Sequence, residues 1–164
     1  MRYARVFFII VILLCGFETV RLWFLAPDVM ASHFNVQGNP DNFVPKLEFF
    51  GFQAQTVAVV LMAGLVVQVL TMIMPAQWIN MPNREYWLAP ERRQDTLDRI
   101  GAFGAALFTI VLVVVQAGFE LSVSANLQTP IVFAAQLMVP MIVGFCVLSL
   151  ALLFWLLRSF RLPS

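Results

Sequence analysis

Four long apolar stretches, at about 6–25, 53–74, 100–121 and 131–157, constrain this 164-residue chain more than any other feature. A bilayer core is crossed by roughly 20 apolar residues in a helix, and each stretch is long enough. Inside lipid the backbone must satisfy its own hydrogen bonds, so such stretches are helices. Composition agrees, with 61% of residues hydrophobic and 12% charged, where a soluble domain is closer to half apolar and a quarter charged. The breaks carry turn chemistry: Gly38-Asn39-Pro40-Asp41, Asn80-Met81-Pro82-Asn83 and the run 126–130. No small-residue cleavage box follows the first stretch, so it is read as a retained helix. The expected fold is all-α, an integral membrane four-helix bundle forming one domain over residues 1–164.

Basic residues set the expected orientation. Arg2, Arg5, Arg84, Arg92, Arg93, Arg99, Arg158 and Arg161 fall on one side of a four-span layout, with only Arg21 and Lys46 toward the other. The positive-inside rule then places both termini and the 75–89 loop in the cytoplasm, and a structured 26–52 loop outside. Trp23, Trp78, Trp87 and Trp155 lie near span ends, where amphipathic rings prefer the headgroup layer. The third helix is expected to begin near Pro90 and to run through 121, with Pro90 in its first turn and Asp95/Arg99 as an i,i+4 pair. Gly101/Ala105 and Ala102/Ala106 offer small residues for close helix contact, and Pro140 predicts a kink in the fourth span.

Ionisable groups inside a span are costly, so they are informative. Glu18 lies about 10 Å below the end of the first helix at 1.5 Å per residue, with Arg21 one turn above it. Gln116 and Glu120 share a face of the third helix, and Gln55 and Gln136 sit near the corresponding ends of the second and fourth. The other half of each span is apolar except for Gln68. Turned inward, these groups make a polar pocket opening to the outside; the alternative is a structural ion pair with glutamines bonding helix to helix. No polar stripe continues inward, so a through-pore is not expected.

The 26–52 segment holds the chain's one histidine and one lysine among apolar residues that can pack back on the helices. Pro27, His33, Phe34, Asn35, Gly38, Asp41 and Lys46 form a pattern that resembles the outer loop of bacterial membrane proteins related to the SdpI bacteriocin-immunity protein, a family largely described as a domain of unknown function. The stretch from Asn80 to Arg93, with Asn-Met-Pro-Asn before Tyr-Trp-Leu-Ala-Pro-Glu-Arg-Arg, is similar to a second signature of that family. The chain departs at Ala31, where many relatives have proline, and lacks the additional helices of the immunity protein. The resemblance implies a bacterial cytoplasmic (inner) membrane location and, more loosely, toxin recognition or signalling.

His33 can titrate near neutral pH, bond to Asp41, or act as a base. One histidine with Asp28, Asp41 and Glu48 is a poor donor set for a closed metal site, and neither a metal nor a cofactor is expected. Lys46 is placed to meet a phosphate headgroup, a peptide carboxylate or Asp41. Asn83, Arg84, Arg92 and Arg93 are candidates for contact with anionic lipid or a cytoplasmic partner. No phosphate loop, nucleophile elbow or zinc-protease helix is present, and the net charge of +1 offers no field for nucleic acid. Three function classes follow. The first is a binding, sensing or immunity-type protein that takes a peptide, lipid or small molecule from outside through Glu18, Arg21, His33, Asn35, Asp41, Lys46, Gln116 and Glu120. The second is a subunit of a transporter or larger complex, including a homo-oligomer. The third is a membrane enzyme on a lipid or envelope substrate, the least favoured given the missing motifs.

Overall fold

In the computed structural model, which describes residues 2–162 and only the backbone of Arg2 and Arg5, four helices are long and apolar enough to cross a membrane. They are α1 (Arg2–Leu25), α2 (Lys46–Ile73), α4 (Arg93–Asn126) and α5 (Met138–Ser159); α3 (Arg84–Trp87) is a single turn. At 1.5 Å per residue, α1 and α5 reach about 36 and 33 Å, enough for a hydrocarbon core of about 30 Å. Their surfaces show large apolar side chains all round, including Phe7, Leu13, Phe17, Leu65, Leu148 and Phe154. Bare hydrocarbon on this scale belongs in lipid, and the build is that of a multi-pass membrane protein.

The spans do not surround a common core. α1, α2 and α5 each pack on α4 and hardly on one another. The buried stripe of α4 explains this: Leu97, Gly101, Gly104, Ala105, Thr109, Leu112, Gln116, Phe119, Val123 and Asn126 follow each other at helical i,i+3/i+4 spacing. Small residues let α2 approach closely. A Cβ on Gly64 would meet the Phe108 ring at 3.3 Å, and one on Gly104 would meet Gln68 Nε2 at 3.3 Å. Gln68 uses that closeness to donate to the Gly101 carbonyl at 2.7 Å.

Two small cores close the ends. One gathers Leu22 and Ala26 of α1, Phe49 and Phe50 of α2, and Phe119 and Val123 of α4. The other joins Ile79, Leu88 and Leu97.

Several expectations are corrected. The fold is not purely helical, because β1 (Val29–Phe34) and β2 (Pro40–Pro45) form an antiparallel hairpin inside the 26–52 segment. α2 starts at Lys46 and not near 53, directly after Pro45. α4 starts at Arg93 and not at Pro90: Thr96 Oγ1 donates to the Trp87 carbonyl at 2.7 Å, folding residues 88–92 into a turn ahead of the helix. It also runs on to Asn126, well past 121. α5 starts at Met138 and not at 131, because Phe133 is drawn to the hairpin, its N–H donating to the Gly38 carbonyl at 2.8 Å. Pro140 therefore falls in the first turn, where its missing N–H would have no partner in the helix, and no kink is required. Arg99 turns to the Ser159 carbonyl at 3.3 Å and to the Trp87 ring, away from the expected pairing with Asp95.

The hairpin is fixed to α4 by one side chain. Ala31 N–H donates to Asn126 Oδ1 at 2.6 Å, and Asn126 Nδ2 donates back to the Ala31 carbonyl at 3.0 Å. Both residues are buried. Asn126→Ala leaves a buried N–H and C=O unpaired, which costs about 1–3 kcal/mol per group. Thermal unfolding in detergent should fall accordingly, and amide exchange at Ala31 should accelerate while that of the α4 centre is unchanged.

Candidate functional site

Polar side chains from three spans meet at one level, below the hairpin. Gln116 of α4 is their hub. Its Nε2 donates to Glu120 Oε1 at 3.3 Å, one turn further along the same helix. Its Oε1 lies 3.5 Å from Gln53 Nε2 on α2 and 3.4 Å from Thr19 Oγ1 on α1. The Thr19 hydroxyl also donates to the Cys15 carbonyl at 2.8 Å. Glu120 Oε1 accepts from the Gln116 amide nitrogen, which turns the Gln116 oxygen toward the amide nitrogen of Gln53.

Two clefts flank α1 at this level. The larger, of about 360 Å3, opens between α1 and α2, which barely touch; Gly16, Ala54 and Ala58 line its sides, with Leu112 and Gln116 from α4. The smaller, of about 270 Å3, lies between α1 and α4 and contains Glu18 and Glu120 among Val11, Leu14 and Val113. Cys15 and Gln116 line both, so the two adjoin at these residues and together form the groove around α1. Its walls are apolar and its polar groups few and convergent, as in small-molecule sites generally. Glu18 is paired within its own helix, with Arg21 Nε at 2.6 Å.

The structure divides the sequence candidates. Glu18, Gln116 and Glu120 line the groove, and Arg21 adjoins it through Glu18. His33, Asn35, Asp41 and Lys46 do not line it. His33 Nδ1 sits 2.5 Å from Asp41 Oδ1 across the hairpin, with the imidazole 69% exposed. Asn35 Oδ1 accepts from the N–H groups of Gln37 and Asn39 and so builds the hairpin turn. Gly38 completes the turn at φ +83°, with no room for a Cβ, which would lie 2.4 Å from the Phe133 carbonyl oxygen. Lys46 donates to the Ala26 carbonyl at 2.9 Å and lies over Trp23, not Asp41.

At the opposite end the arginines serve backbone carbonyls: Arg84 that of Gln77, Arg92 that of Tyr86 and Arg93 that of Met74 at the end of α2. Asn83, at φ 54°, donates to the Phe160 carbonyl at 3.0 Å.

Gln53 is the residue that sequence reasoning passed over in favour of Gln55. Gln53 is buried and Gln55 exposed. Helical phase would have separated them, since Phe49, Phe50, Gln53, Gly64 and Gln68 share one face of α2 while Gln55 points away. Gln136, expected in the same polar layer, lies in the short helical turn before α5 and is exposed.

Residues 9–57 match the model of a family described as a domain of unknown function (DUF1648). The matched stretch runs from α1 through the hairpin into α2, and so carries Glu18, Thr19 and Gln53 but neither α4 nor the 80–93 segment. No curated protein and no solved structure matches the chain.

If Gln116 is the hub, Gln116→Leu strands the Gln53 amide and lowers stability by about 1–3 kcal/mol. The double variant Gln53→Leu/Gln116→Leu should recover part of that loss, since removing both partners leaves one polar group fewer unsatisfied. Thermal melts of the two variants beside each single one read the coupling.

Proposed function

We propose that this chain is a binding or sensing protein of a bacterial cytoplasmic membrane, which takes an amphipathic ligand into the groove around α1. The observation that carries this reading is the groove itself: space between helices that barely touch, apolar walls, and a polar cluster contributed by three spans at one depth. A site that packs only protein would have closed this space with larger residues than Gly16, Ala54 and Ala58. A ligand with an apolar body would rest on those walls and place its polar group at Gln116.

Orientation is part of the proposal. The arginine bias supports cytoplasmic termini, which would set the hairpin and the polar level on the outer side. The match over residues 9–57, together with the 80–93 signature, supports kinship with the SdpI-related immunity-like proteins. A homo-oligomer or larger complex is the second reading, favoured by α5, none of whose residues is buried.

One measurement addresses both. Gly16 borders the groove and a Cβ there meets nothing within 4 Å, so Gly16→Leu has room to enter and fill the space. Native mass spectrometry of the wild type, extracted gently from its membrane, should show a retained amphiphile that is lost or reduced at least about tenfold in Gly16→Leu, since one buried leucine side chain displaces contacts of that order. Equal retention in both proteins would sink the groove as the binding site. The same spectra give the number of chains in the particle.

A further inference from the structure

The groove has a chemical sign. Once the Gln53–Gln116–Glu120 chain is oriented by the carboxylate, its open end is the carbonyl oxygen of Gln53. Gln53 is 8% exposed, its Oε1 has no partner among the described residues, and the residue lines the larger lobe. Thr19 gives its one proton to the Cys15 carbonyl and keeps lone pairs only. In the smaller lobe Glu120 receives the neutral amide of Gln116, while Glu18 is balanced by Arg21. A carboxylate facing apolar walls with only an amide for company calls for a positive charge.

The rest of the molecule supports the same sign independently. The hairpin end carries Glu18, Asp28, Asp41, Glu48 and Glu120 against Arg21 and Lys46, with His33 the one further titratable base. The opposite end carries eight arginines against Glu85, Glu91, Asp95 and Asp98. The hairpin end, with five acidic groups against two basic ones, is therefore net negative while the opposite end is net positive, and such a field draws cations toward the groove.

Resting on the groove reading above, we propose that the ligand is a cationic amphiphile: a primary ammonium group, rich in donors, seated at Glu120 in the smaller lobe, with an apolar chain along Val11, Leu14 and Val113. The ammonium supplies the charged partner that Glu120 does not have among the described residues, and Arg21 keeps Glu18 from competing as an equal seat.

The test uses full-length protein in neutral detergent and three probes of equal chain length: dodecylamine, dodecanol and dodecanoate. Native mass spectrometry titrations should rank the amine first by about tenfold over the alcohol, as for a hydrogen bond gained to a charged group, with the carboxylate weakest. Glu120→Gln should remove the amine's advantage over the alcohol. Dodecyltrimethylammonium, which keeps the charge without donors, should bind the wild type more weakly than the primary amine; this comparison needs no variant and stands even where Glu120→Gln fails to fold. Equal binding of amine, alcohol and carboxylate would overturn the cationic assignment and leave the groove intact. Tightest binding of dodecanoate would also overturn it. Binding of none of the probes, with no endogenous amphiphile retained, would remove the groove reading itself.

Discussion

The reciprocal pair between Asn126 and Ala31 holds the hairpin end together. A two-stranded hairpin on its own is marginal in water, and this one is additionally irregular, its register shifting between Ala31 and Phe34. The Asn126 side chain acts as a fragment of a third strand, offering one acceptor and one donor to the backbone of β1. Met30 and Ala31 can then be fully buried on the helices. With the hairpin seated, Gly38 is in position to receive the Phe133 N–H, Phe34 stacks on Phe133, and the entry to α5 is defined. One amide therefore orders the connections of α1, α2 and α5 around the end of α4.

α4 is the mast to which the other spans are tied. Its 34 residues measure about 50 Å, some 20 Å beyond a hydrocarbon core. The excess lets its two ends enter both small cores, where aromatic contacts such as Phe49–Phe119 are made. Between the cores α2 meets it through Gly64 against Phe108 and through the Gln68 bond to Gly101, while α1 and α2 stay apart. The groove is the space that this plan leaves beside α1.

Much of this was legible. The four spans follow from length and apolarity alone, and the Glu18–Arg21 pair from its spacing. What the sequence concealed were features depending on which face a residue takes and what meets it. Gln53 and Gln55 are equivalent in composition, and only helical phase assigns one to the interior. Asn126 reads as a turn residue because its strand partner lies 95 positions away. The hairpin was hidden for a similar reason: Pro40 and Pro45 bound β2, and proline is tolerated only at strand ends or edges. The arginines of 84–99 explain themselves twice, as topology signals in sequence and as donors to helix-end carbonyls in the structure.

α5 contributes no residue to either core. It is moored at one end by Phe133 on the hairpin and at the other by Phe160, whose carbonyl accepts from Asn83 and Trp87. The first three spans with their hairpin thus contain the elements needed to close on themselves while the last is still being synthesised. Such a build would let a three-helix unit close first and the final helix berth against it. A span that packs on α4 alone among the helices, with none of its own residues buried, is also the one whose departure would disturb the others least.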